Sequence, residues 1–226
     1  MLLSVIIPVF NEQEYIVDVV NCIRRQPLRK EIIVVDDGST DGTREKVRAM
    51  AAEGKIRLIE QPVNRGKGAA LRQGLPEAKG DIIIFQDADL ELDPYDYSAL
   101  VEPIVSGNTE VVYGSRFLSR HNRIPLSNLL VNKALTAVTN LLYRARLTDE
   151  ATAYKVFRRE VIASIPLRSN GFEICPEITA KLLKAGYNII EVPIAYHPRS
   201  RQEGKKLNWA DGIIAVITLL RFRFTA

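Results

Sequence analysis

The first 115 residues alternate short apolar runs with stretches of helical period. Residues 4–9 form a continuous apolar run before Asn11-Glu12, the pattern of a strand buried on both faces. Residues 31–35, 56–60, 81–85 and 110–113 are the further predicted strands. Between them, residues 14–25 place Ile16, Val19, Val20 and Ile23 on one helical face. Residues 41–52, 67–78 and 94–106 are predicted as helices, the first capped by Asp41 and the last opened by Pro94. This alternation predicts an α/β fold with a doubly wound, mainly parallel central sheet flanked by helices.

The second half is less regular. Leu126–Tyr143 is predicted as an amphipathic helix. Leu130, Ala134, Ala137, Val138 and Leu141 form its apolar face; Lys133, Thr136, Asn140 and Arg144 lie opposite. Residues 153–157 and 189–194 read as strands, and 174–185 as a helix that Gly186 stops. Trp209–Phe224 is a last helix, rich in Ile, Val and Leu, with basic flanks. No repeat or linker interrupts the chain, so residues 1–226 are expected to form one domain.

Charge changes this picture. The net charge of +4 over 226 residues hides an asymmetry. Residues 1–115 carry 13 Lys/Arg against 19 Asp/Glu, and residues 116–226 carry 18 against 8. An acidic half followed by a basic half predicts an anionic partner near the second. Cys22 and Cys175 are too few for a disulfide framework and read as buried thiols. With His121 and His197 as the only histidines, a His/Cys zinc site is not expected. The N-terminal residues lack a basic n-region and do not read as a signal peptide. No run of about 18 apolar residues is present to span a bilayer. The expected location is cytoplasmic.

Ligands of open parallel sheets bind beyond the carboxyl ends of the strands. Asn11-Glu12, Asp36-Asp37 and Asp87-Ala88-Asp89 each follow a predicted strand, so they gather on one rim. Asp87 and Asp89, one residue apart, can face one hard cation, Mg²⁺ or Mn²⁺, with Glu91 as a third oxygen donor. Asp37 suits a base N–H or a ribose hydroxyl, and Asp36 suits support of the turn. Asn64-Arg65-Gly66-Lys67-Gly68 lacks the Walker pattern, but either places Lys67 near a nucleotide or lets helix and sheet pack closely. Arg116, Arg123, Arg199, Lys205 and Lys206 form the basic side, and guanidinium forks match phosphate geometry. Asp149, after the long amphipathic helix, reads equally as a general base or a cap.

Six stretches resemble family 2 glycosyltransferases of the GT-A fold, on the dolichyl-phosphate mannosyltransferase-like, polyprenyl-phosphate branch. They are Ser4-Val5-Ile6-Ile7-Pro8-Val9-Phe10-Asn11-Glu12, residues 35–43, residues 64–71, Asp87-Ala88-Asp89-Leu90, Gly114-Ser115-Arg116 and Glu203-Gly204-Lys205-Lys206. The resemblance implies a nucleotide sugar held by Pro8, Phe10, Glu12, Asp37, Lys67, Asp87, Ala88, Asp89, Arg199 and Lys205. It implies a metal on Asp87 and Asp89, with Glu91 standing where relatives often place Gln. Arg116, Arg123 and Ser127 align with residues that hold a lipid acceptor's phosphate, and Asp149 with the acid usually proposed as catalytic.

The reaction so implied is inverting, metal-dependent transfer of a hexose from a nucleotide sugar, of GDP-mannose or UDP-glucose type, to a polyprenyl or dolichyl phosphate. The alternatives are a soluble family 2 enzyme acting on a sugar hydroxyl, and a catalytically silent nucleotide-sugar-binding scaffold. Leu126–Tyr143 and Trp209–Phe224 are expected to lie on an anionic membrane surface, on the sheet, or in a homodimer interface. A nucleic-acid partner is not expected, because the basic residues are not interleaved with an aromatic stacking platform.

Overall fold

A computed structural model describes residues 1–199 and 209–225. Its sheet has seven strands: β1 (Leu3–Val9), β2 (Lys30–Asp36), β3 (Arg57–Glu60), β4 (Ile82–Phe85), β5 (Val111–Ser115), β6 (Lys155–Arg158) and β7 (Ile189–Pro193). They lie in the order β3-β2-β1-β4-β6-β5-β7. Neighbours pair in parallel except that β6 runs antiparallel to both β4 and β5. The apolar runs of β1 and β2 are shared between two layers. Val5, Ile7, Val9, Ile32 and Val34 face one core, and Ile6, Ile33 and Val35 the other. This period-2 division explains why no polar position interrupts them.

Helices α1 (Ile16–Arg25), α2 (Thr43–Ala52) and α4 (Tyr97–Val105) cover the first face, and α3 (Lys67–Gly74), α6 (Arg159–Ser164) and α7 (Ile174–Lys184) the second. Ile16, Val19, Val20 and Ile23 of α1 are buried, as their spacing requires. Helix α2 opens two residues later than its pattern suggests, with Asp41 Oδ1 accepting the Thr43 N–H at 2.9 Å. Pro94 opens a 3₁₀ turn rather than the α-helix itself, and Asp93 caps it. Gly186, at φ 84°, follows α7. Both cysteines are half-buried and free, not fully buried as expected.

Helices α5 (Leu126–Tyr143) and α8 (Trp209–Phe224) pack on α7 through Leu135, Ala180, Ala215, Leu219 and Phe222. The expected apolar face of α5 is corrected here. Leu130 and Leu141 are 63% and 82% exposed, while Thr136 and Thr139 are buried. The two threonines tolerate burial because their hydroxyls are occupied. Thr139 donates to the Leu135 carbonyl at 3.0 Å, and Thr136 accepts the Glu150 N–H at 3.1 Å.

Candidate active site

The loops after β1 and β2 are stitched together at the carboxyl rim. Asn11 takes a left-handed conformation (φ 50°), which Asn tolerates. Its side chain accepts the Thr40 N–H at 2.8 Å, and its own N–H donates to Ser39 Oγ at 3.0 Å. Asp36 holds the turn, accepting from Ser39 N and Arg44 Nε. Asp37 is buried and straps the neighbouring loop down, each oxygen accepting one N–H, from Arg65 and Gly66, at 2.8 Å. Each oxygen keeps a second lone pair. Burial raises the Asp37 pKa, opposed by those two N–H groups. Gly66 sits at φ 97°, and a Cβ there would lie 2.5 Å from the Asn170 carbonyl oxygen. Gly66→Ala is therefore expected to cost about 1–3 kcal/mol, read as a lower urea midpoint; an unchanged midpoint contradicts this account.

The turn after β4 carries Asp87, Ala88 and Asp89. Asp87 pairs with Lys67 at the start of α3, and Phe172 lies beneath the Lys67 ammonium at 5.9 Å. Ala88 is buried. Asp89 Oδ1 accepts the Glu91 N–H at 3.1 Å, and Oδ2 meets Arg199 Nη2 at 2.6 Å. Arg199 also grips Glu12, Nη1 to Oε2 at 2.9 Å, and its N–H donates to Glu91 Oε1 at 2.8 Å. Its guanidinium lies 5.2 Å from the Tyr15 ring. The basic half thus reaches across to three acids of the acidic half. Burial, with the nearby Asp87 charge, pushes the Asp89 carboxyl up to about 7, opposed by Arg199.

Among the described residues no three His, Cys, Asp or Glu side chains form a ready metal set. Two carboxylates on one tight turn, one of them held against its neighbour's charge, nevertheless suit a divalent cation that completes its shell with phosphate oxygens. Pro8 and Phe10, both half-buried, border this rim at the end of β1.

Asp149 belongs to a second group of charges, with Arg116. It is fully buried and accepts three bonds from Arg116: the backbone N–H at 3.0 Å, and Nε and Nη2 at 2.7 Å. Arg116 is 12% exposed and lies 5.3 Å from the Tyr196 ring. Arg123 is exposed and lines a cavity of about 670 Å³ with Asn122 and Tyr196. Ser127 lies in the first turn of α5. Lys205 and Lys206 fall outside the described residues. The sequence reading missed Tyr15, Phe172 and Tyr196 beside the cations, and Lys155 and Glu191 behind Asp149. Lys155 and Glu191 leave a legible signal, a charge inside an otherwise apolar strand run.

The profile of glycosyl transferase family 2 matches residues 4–165. The chain belongs to that family. This family 2 glycosyltransferase is 32% identical over 212 residues to a dolichol-phosphate mannosyltransferase of Pyrococcus furiosus, covering 91% of the chain and 59% of the relative. It is 31% identical to a UDP-N-acetylglucosamine–dolichyl-phosphate N-acetylglucosaminyltransferase of Methanococcus voltae, covering 85% of the chain and 84% of the relative. Among solved structures, glucosyl-3-phosphoglycerate synthase of Mycobacterium tuberculosis, with Mn²⁺, UDP-glucose and phosphoglyceric acid bound, superposes with a TM-score of 0.72 at 26% identity. That superposition covers 99% of this chain and 80% of the synthase. Another structure of the synthase, with Mn²⁺, UDP and phosphoglyceric acid, gives a TM-score of 0.75 at 24% identity and covers 99% and 79%. The fold is that of the GT-A glycosyltransferases.

Proposed function

We propose that this glycosyltransferase moves a hexose from a nucleotide sugar to a polyprenyl or dolichyl phosphate, with inversion. The observation that carries the reading is the Arg116 fork. Asp149 accepts two of its five side-chain donors, which fixes its plane and leaves donors over for a second anion. The names of the archaeal relatives support a lipid phosphate as that anion. Arg123 and Ser127 would complete the acceptor phosphate site.

On this reading Pro8, Phe10, Glu12 and Asp37 hold the nucleoside, and Lys67 and Arg199 face the diphosphate. Lys205 would join them. Asp87 and Asp89, with Glu91 beside them, would hold Mg²⁺ or Mn²⁺, which when bound neutralises charge on the leaving diphosphate. An acceptor phosphate oxygen forms the new bond to the anomeric carbon as the bond to the diphosphate breaks. A phosphate monoester is already ionised at neutral pH, its second pKa being about 6, so no base need remove a proton. Asp149 then orients Arg116.

Release of nucleoside diphosphate from GDP-mannose, UDP-glucose and UDP-N-acetylglucosamine, with farnesyl phosphate and Mn²⁺ or Mg²⁺, tests the reading. Turnover that requires farnesyl phosphate supports it. Turnover only with a soluble acceptor such as phosphoglyceric acid overturns the lipid assignment, and none with any donor favours a silent scaffold.

The reading also places the enzyme on an anionic membrane surface. Helices α5 and α8 together expose Leu126, Leu130, Leu141, Ile217 and Phe224, and α8 carries Arg221 and Arg223. An apolar face beside basic residues suits an anionic lipid interface. No helix among the described residues is long and apolar enough to cross a membrane. Flotation with phosphatidylglycerol vesicles at low salt, weakened by high salt, is expected. Absence of flotation together with a dimer in sedimentation would assign this face to a second copy instead.

A further inference from the structure

The turn that carries Asp149 is held by side chains from three separate elements. Glu191 of β7 accepts the N–H groups of Thr148 and Asp149, one on each oxygen, at 2.7 and 2.8 Å. Thr136 of α5 accepts the Glu150 N–H at 3.1 Å. Lys155 of β6 donates to the Glu150 carbonyl at 2.7 Å. Lys155 is fully buried, and its ammonium lies 3.8 Å from the Tyr113 ring. The buried Glu150 carboxylate attracts it from beyond ion-pair distance, so its one direct polar contact among the described residues is that carbonyl.

A buried ammonium that serves a backbone carbonyl is an expensive way to hold an ordinary turn. So is a carboxylate spent on two amides, and Ser115, next to Arg116, bonds Thr148 through their hydroxyls at 2.6 Å. What these contacts share is the position of the Asp149 carboxylate, and through it the Arg116 fork. We infer that Glu191 and Lys155 are positioning residues that fix the Asp149–Arg116 pair for the acceptor's phosphate, an inference that rests on the acceptor reading above for its ligand. Chemistry explains the choice of Glu191. A glutamine there offers one accepting oxygen and turns its amide donors toward the second N–H.

The test has a readout that needs no ligand. A bidentate, buried guanidinium protects its Nε–H from exchange, so the Arg116 Nε–H signal in ¹⁵N NMR reports the pair. Glu191→Gln and Lys155→Met are each expected to speed that exchange and to weaken farnesyl phosphate binding about tenfold. Binding of GDP or UDP with Mn²⁺ should change less than twofold. Glu191→Asp, which keeps both accepting oxygens, should recover part of the loss. In an Arg116→Ala background, Glu191→Gln should weaken farnesyl phosphate binding no further.

An unchanged Arg116 signal in both variants overturns the inference. So does an equal loss of nucleotide and acceptor binding, which marks a general structural role. If the wild-type enzyme does not bind farnesyl phosphate, the acceptor reading fails while the exchange data still decide the positioning role.

Discussion

Asp89→Ala is expected to reduce glycosyl transfer by on the order of 10²–10³ while leaving the enzyme folded. The carboxylate sits on the turn where the donor's diphosphate is proposed to meet a divalent cation, and its neighbour Asp87 is engaged by Lys67. Loss of Asp89 leaves Arg199 paired with Glu12, so no cation is orphaned. In the free enzyme the Asp89 carboxyl is pushed up to about 7 by burial and by the Asp87 charge, against Arg199. The sign follows from linkage. A carboxyl whose pKa rises on folding favours the folded state below its unfolded pKa of about 3.9 and loses that contribution as pH rises toward 7. At pH 8 without metal, Asp89→Ala should therefore unfold no earlier than the parent in a thermal scan. Nucleoside diphosphate release with Mn²⁺ and farnesyl phosphate measures the other half of the expectation. A variant that keeps a tenth of the parent rate sinks the metal-turn assignment.

The gathering of Glu12, Asp37 and Asp89 on one rim is legible in the sequence because each comes soon after the end of a buried strand. Val9, Asp36 and Phe85 close β1, β2 and β4, so Glu12, Asp37 and Asp89 had to share a rim. Arg199 was legible as a basic residue but its reach was not, since 187 residues separate it from Glu12. The antiparallel β6 was not legible either, because a buried strand reads the same in both directions. Helix α5 shows a third kind of limit. Its Leu and Ala face looked like the core side, yet Thr136 and Thr139 took that place, Thr139 bonding the Leu135 carbonyl one turn back and Thr136 accepting the Glu150 N–H from beyond the helix. Periodicity ranks faces by apolar content, whereas burial also admits small polar groups whose bonds are made. Glu191 and Lys155 were passed over for a related reason. Their charges interrupt strand runs, and only the three-dimensional contacts show what those charges hold.

Asp149→Asn is expected to lower stability and to damage acceptor use without abolishing chemistry. The Asp149 carboxylate is fully buried, and both oxygens are committed to Arg116. A general base needs a lone pair within hydrogen-bond reach of the proton it removes; here Arg116 takes three of the four lone pairs of a fully buried carboxylate. In the variant, the Asn amide turns its N–H donors toward one guanidinium donor, so at least one of the three bonds from Arg116 is lost and a donor faces a donor. Removing one partner of a buried pair costs about 3–5 kcal/mol, and the partial exposure of Arg116 favours the lower end. A loss of about 3 kcal/mol lowers Tm by roughly 6–12 °C in a chain of this length. The kinetic effect should be an increase in KM for farnesyl phosphate, of order 10- to 100-fold, because a looser Arg116 binds the phosphate less well. The maximal rate should fall much less, since the acceptor arrives ionised. A collapse of kcat with KM for the acceptor unchanged would instead make Asp149 a base acting on a hydroxyl, and would replace the proposed lipid phosphate acceptor with a sugar.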